Sequence, residues 1–148
     1  MKPTKIITAI ILFLMTQQSL MAQESKTDSN LKDQKYTVEN CVNTFELDKA
    51  KKTNTGYQYW FIDKDFANGN TIKMSIVNPH QSTHPPHKHI QEEFFFILEG
   101  TATFYLDGKT TTAGANTSFY CPSNAEHGIS NTGDTELKYL VMQKYPKE

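Results

Sequence analysis

The stretch Glu93-Phe94-Phe95-Phe96-Ile97-Leu98-Glu99-Gly100-Thr101-Ala102-Thr103-Phe104-Tyr105-Leu106-Asp107-Gly108-Lys109-Thr110-Thr111-Thr112 decides the fold class. It is made of short runs of aromatic and β-branched residues cut by two glycine turns. Asp107-Gly108 between alternating runs signals a hairpin, because a type I′ turn needs positive φ at both central residues. Glu99-Gly100 predicts a second turn. If residue 98 pairs with 101, then 97 faces 102, 95 faces 104 and 93 faces 106. Glu93, Phe95, Ile97, Ala102, Phe104 and Leu106 then share one face. Only Glu93 in that set is ionisable. A carboxylate on an apolar face needs a partner, and a cation is the obvious one.

The same texture extends in both directions. Strands are expected at 36–46, 57–62, 71–78, 93–98, 101–107, 109–112, 116–121, 126–130 and 137–143. Asn68-Gly69-Asn70, Asn78-Pro79, Ala113-Gly114 and Asn131-Thr132-Gly133-Asp134 supply the other turns. No stretch beyond residue 22 keeps a 3.6-residue period. Many short strands and no helix predict an all-β sandwich, jelly roll or small barrel.

Before that domain lie two segments of other character. Lys2 and Lys5 precede the uncharged apolar run Ile6–Met15, and a more polar stretch ends at Ala22. This is the three-part pattern of a secretory signal peptide, residues 1–22. The run is too short for a membrane span, which needs about 20 apolar residues. Residues 23–35 hold one large apolar residue, Leu31, and read as a flexible leader. Residues 36–148 are then a single domain, periplasmic or secreted. In that oxidising setting Cys41 and Cys121 can pair, or remain two separate thiols.

The 148 residues carry 15 Lys, no Arg and 16 acidic groups, a formal charge of -1. Loss of residues 1–22 removes two Lys and no acid, leaving 13 against 16, or -3. That balance argues against nucleic acid or an acidic membrane surface as partner. Without Arg, an anionic ligand must be met by Lys, backbone N–H groups or a metal.

Four of the five histidines cluster. Ser82-Thr83-His84-Pro85-Pro86-His87-Lys88-His89 holds three, and His127 lies further along. In extended chain, side chains at i and i+2 point the same way, so His87 and His89 can hold one ion together. Glu93 follows at the start of the next strand. Three imidazoles and a carboxylate make a mixed N/O site suited to one divalent transition metal ion (Zn, Fe, Mn, Ni or Cu), with positions open for substrate. His84 and Tyr139 are candidates for the pocket wall, with Tyr59, Trp60 and Phe104. The run Phe94-Phe95-Phe96 is expected in the core on both faces.

These spacings resemble those of the cupin superfamily. Its first motif reads G-x(5)-H-x-H-x(3,4)-E-x(6)-G, and here His87, His89, Glu93 and Gly100 fall at those positions. Its second motif ends in Pro, four residues, His, three residues and Asn, matched by Pro122, His127 and Asn131. Two positions depart: Gln81 stands where the leading glycine belongs, and Ala115-Asn116 follow Gly114 where an acid is common. The resemblance spans residues 70–143. It implies a double-stranded β-helix, the cupin jelly roll, with His87, His89, Glu93 and His127 as metal ligands.

The function implied is metal-dependent chemistry on a small oxygenated substrate, such as a sugar acid from polysaccharide breakdown, of isomerase, tautomerase or lyase type. In that case the carboxylate would fall to Lys88, other Lys or the metal. The alternatives are a quercetinase-like dioxygenase and a non-catalytic ligand-binding or metal-binding module. The 36–46 strand offers an edge for a homodimer.

Overall fold

The computed structural model describes residues 35–146. The expected signal segment 1–22 and the leader 23–35, except Lys35, lie outside them. The chain divides into two compact units, Met1–Val42 and Asn43–Glu148.

The described part of the first unit holds a four-residue helix, Val38–Cys41. This corrects the strand expected at 36–46, and with it the proposed pairing edge. Thr37 caps the helix. Its hydroxyl accepts from the Asn40 N–H at 3.4 Å, while the Thr37 N–H donates to Asn40 Oδ1 at 2.8 Å. Those two reciprocal bonds satisfy otherwise orphaned donors of the first turn, and they override the strand preference of Tyr36, Thr37 and Val38.

Among the described residues the second unit holds nine strands: β1 (Lys51–Thr53), β2 (Gly56–Ile62), β3 (Asn70–Val77), β4 (Glu93–Glu99), β5 (Ala102–Leu106), β6 (Lys109–Ala113), β7 (Ser118–Cys121), β8 (His127–Asn131) and β9 (Leu137–Lys144). They form a six-stranded sheet, β1-β2-β3-β9-β4-β7, and a three-stranded sheet, β6-β5-β8. The all-β jelly roll is therefore present. Strand β1 lay outside the expected set because Lys-Lys-Thr has no alternation to signal it.

The Asp107-Gly108 hairpin forms as expected, with Leu106 opposite Lys109 and φ of 43° and 82° at the two turn residues. The Glu99-Gly100 turn does something else. Strand β4 has β7 on one edge and β9 on the other, so no edge is left for β5. Gly100, at φ 87°, turns the chain out of the large sheet and into the small one. A Cβ there would lie 2.5 Å from the Glu136 carbonyl oxygen, so the corner requires glycine. The predicted β4–β5 register is thus replaced by packing of one sheet over the other. Glu93, Phe95, Ile97, Ala102 and Phe104 still share an interior, but from opposite walls.

That interior is the main core. Phe95, Ile97, Phe119, Tyr139 and Val141 from the large sheet meet Ala102, Phe104 and Ile129 from the small one. Phe104 stacks on Phe119 with centroids 4.6 Å apart. Each such side chain contributes about 1.5–3 kcal/mol on burial. Of the phenylalanine run only Phe95 is buried, while Phe94 is 47% exposed, as the two-residue period of a strand with one solvated face requires. Tyr59 and Phe45 belong to a second, smaller cluster with Met74 and Ile76.

Candidate metal centre

The backbone brings the two halves of the histidine set together. His87 and His127 form an isolated antiparallel bridge, with His87 N–H donating to His127 O at 2.9 Å and the reverse bond at 2.8 Å. Asn131 N–H donates to Gln81 O and Asn124 N–H to His89 O, both at 2.8 Å. The segment from Gln81 to His89 is thereby tied to β8 and the loop before it.

The rings then converge. Centroids of His87 and His127 are 4.8 Å apart, those of His89 and His127 4.9 Å, and those of His87 and His89 5.2 Å. Glu93 lies against two of them: Oε1 is 3.6 Å from His89 Nε2, and Oε2 is 3.3 Å from His127 Nε2. All four residues singled out from the sequence are brought into one cluster.

His127 is wholly buried, and its tautomer is fixed. Nδ1 lies 2.9 Å from Ala125 O, an acceptor only, so Nδ1 carries the proton and donates it. A neutral His127 then presents the Nε2 lone pair to the Glu93 carboxylate. Two electron-rich atoms facing each other at 3.3 Å require a cation or a proton between them. Three buried ring nitrogens, His87 Nδ1, His89 Nδ1 and His127 Nε2, have no hydrogen-bond partner. Leaving such groups bare costs about 1–3 kcal/mol each. One ligand atom from each of His87, His89 and His127 lies within 4.8 Å of the others. The donors present fit a divalent transition metal ion.

The surroundings are ordered by the register of the large sheet. On its inner face Glu93 pairs with Cys121 on β7 and with Gln143 on β9. In the next row Lys73 pairs with Val141, and Val141 with Phe95. Beyond that, Ser75 pairs with Tyr139. The small sheet leaves the β1–β3 end of this face uncovered, and a cavity of about 450 Å³ opens there. Glu93, Phe95, Tyr139, His84, Thr83 and Lys73 line it, with Lys51 and Lys52 beside them. His84 and Tyr139 therefore both line the cavity. Lys88 is exposed and lies outside its wall; Trp60 and Phe104 are also absent from it. The cationic side chains of the cavity come from β1 and β3, which no motif spacing marks.

Burial pushes the Lys73 ammonium below its ordinary range, opposed by the charge of Glu93. Burial lowers His87, and neighbouring His84, His127 and His89 add to the effect. Burial, with the Glu93 charge, pushes the Cys121 thiol up to about 12. Burial also raises Tyr139, against hydrogen bonds to Thr83 and Ser75. Cys41 and Cys121 are both free thiols, the first exposed and the second buried.

Residues 73–143 match the family model described as a Cupin domain. The chain belongs to the cupin superfamily. Among solved structures, this cupin is similar to a predicted oxalate decarboxylase from Thermotoga maritima, 26% identical, with a TM-score of 0.57 over 61% of this chain and 80% of that one. An oxalate-binding protein of Thermotoga maritima is 37% identical over 57 residues, covering 38% of this chain and 47% of that one. Auxin-binding protein 1 of Arabidopsis thaliana is 35% identical over 71 residues, covering 42% of this chain and 36% of that one. The cupin thus spans less than half the length of these curated relatives. Among its described residues no helix is long and apolar enough to cross a membrane.

Proposed function

We propose that this cupin holds one divalent transition metal ion through His87, His89, Glu93 and His127 and acts on a small oxygenated anion, such as a sugar acid, in isomerase, tautomerase or lyase chemistry. The observation that carries this is the buried, unpartnered His127 Nε2, which faces Glu93 in the cavity wall and lies in one cluster with the rings of His87 and His89. The ion, when bound, supplies Lewis acidity toward a substrate oxygen.

The chain's own residues do the rest. Lys73, Lys51 and Lys52 give the cavity a positive wall in a protein without Arg, and among the candidates the sequence left open (Lys88, other Lys or the metal) they are the lysines that line it. Lys73 sits one sheet row from Glu93, near enough for the Glu93 charge to act on its ammonium. Tyr139, held neutral by burial, offers a hydroxyl that donates to a substrate oxygen. Phe95 and Val141 keep that wall apolar between the charged groups, which strengthens the electrostatics within it. A panel of small carboxylates and sugar acids, assayed with the metal-loaded protein, tests the reading. Turnover of a member that also depends on Lys73 supports it.

A second reading, ligand binding without turnover, draws on the names of the two curated relatives, both called binding proteins. Saturable binding with no product from any panel member favours it. We further propose that residues 1–22 direct export to the periplasm or beyond, on the strength of Lys2, Lys5 and the apolar run. Intact-mass measurement of the native protein tests this: a mass starting near Gln23 supports export, and a retained Met1 refutes it.

A further inference from the structure

Cys121 lies where the metal reading has no role for it. It is the cross-strand partner of Glu93, and neighbours in that relation on one face stand about 5 Å apart at Cβ. Its thiol is fully buried. Sγ, a Glu93 carboxylate oxygen and a His127 ring nitrogen lie within 4.8 Å of one another. A buried cysteine alone is an ordinary small hydrophobe. Here a second observation points at the same spot: His127 Nε2, wholly buried, is unpartnered and faces Glu93.

We propose that Cys121 is a metal ligand, forming with Glu93 and His127 a second donor set that shares two residues with the histidine-rich one. The proposal rests on the metal-binding reading above and extends it. The two sets share Glu93 and His127, so they hold one ion between them, not two. The histidine set offers nitrogen donors at the His87–His127 bridge. The Cys121 set offers one nitrogen, one oxygen and one sulfur donor on the β7 side, with a position left open. Coordination forms an Sγ–metal bond and releases the thiol proton to solvent. A thiolate donor favours zinc or copper(I) over manganese or magnesium, so Cys121 sets which ions the centre retains.

Cobalt(II) is the probe. The full chain, reduced and metal-free, is titrated with cobalt(II) chloride while bound cobalt is measured by equilibrium dialysis. The parent is expected to bind one equivalent and to show a near-ultraviolet sulfur-to-cobalt charge-transfer band. That band should vanish in Cys121→Ser and persist unchanged in Cys41→Ser. X-ray absorption of the parent adds a measure that needs no variant: one sulfur neighbour at about 2.3 Å is expected. One bound cobalt with nitrogen and oxygen neighbours only overturns the Cys121 proposal and leaves the metal reading intact. A band lost in Cys41→Ser instead also overturns it. No bound cobalt overturns both.

Discussion

His87 and His127 exchange both hydrogen bonds of an antiparallel bridge, 2.9 and 2.8 Å long, so the two histidine segments are joined through the backbone before any ion is considered. Their rings stand with centroids 4.8 Å apart as a consequence of that pairing. The cluster is preorganised, and its side chains need little rearrangement to close on a cation.

Replacing His127 should therefore remove binding without removing the fold. His127→Ala deletes a nitrogen donor but leaves the bridge, which is made by backbone groups. Losing even an orienting partner of a ligand costs about 10–100-fold in affinity, so loss of the donor should cost about 100-fold or more by isothermal titration. Far-ultraviolet circular dichroism should be unchanged. His84→Ala, which leaves every ligand atom in place, should bind metal within a few-fold of the parent.

Chelation should lower the melting temperature. A ligand that binds only the native state stabilises it by about 2.7 kcal/mol at a hundredfold excess over Kd. For a domain of this size that is roughly 10 °C. Calorimetry with and without chelator reads it, with metal loss checked by elemental analysis. Equal midpoints would contradict a tightly held ion.

Lys73→Met should impair substrate and spare metal. Lys73 lies in the cavity wall, its ammonium 5.2 Å from the centroid of the Trp60 ring, and it is no ligand. A hydrogen bond to a charged group contributes about 1.5–3 kcal/mol, so KM for an anionic substrate should rise about 10–100-fold. A neutral analogue should be affected little. The same kinetic loss for both would mean that Lys73 acts through packing instead.

Asn131→Ala should act on stability. This buried amide donates to Val77 O at 2.9 Å and Thr135 O at 2.7 Å, and accepts from Gly133 N–H at 3.0 Å. It ties the end of β8 to the end of β3 and to the turn before β9. Alanine leaves those groups bare, at about 1–3 kcal/mol for one such group. Thermal unfolding should fall by roughly 10 °C, with metal affinity of the folded protein little changed.

The parts of this molecule that repeat a local rule were legible in its sequence. Asp107-Gly108 determined a hairpin because only one turn type suits it, and the spacings from His87 to Gly100 and from Pro122 to Asn131 pointed to the histidine–glutamate cluster. What depends on strand partners was not. Glu99-Gly100 has the form of a hairpin turn and becomes a corner, because β7 and β9 already occupy both edges of β4. Lys73 and Cys121 reach the neighbourhood of Glu93 by register across the sheet, and register is absent from residue spacing. The helix at Val38–Cys41 hinged on the Thr37–Asn40 capping pair, a signal that was present in the sequence and lost among strand-forming neighbours.

Anomalous diffraction from crystals of the protein as purified from its native host decides whether the cluster of His87, His89, Glu93 and His127 is a metal centre. One anomalous peak per chain is expected, about 2.0–2.2 Å from His127 Nε2 and in contact with a Glu93 oxygen. A well-ordered His127 ring with no peak beside it, and no ion found by elemental analysis of the same sample, would contradict it.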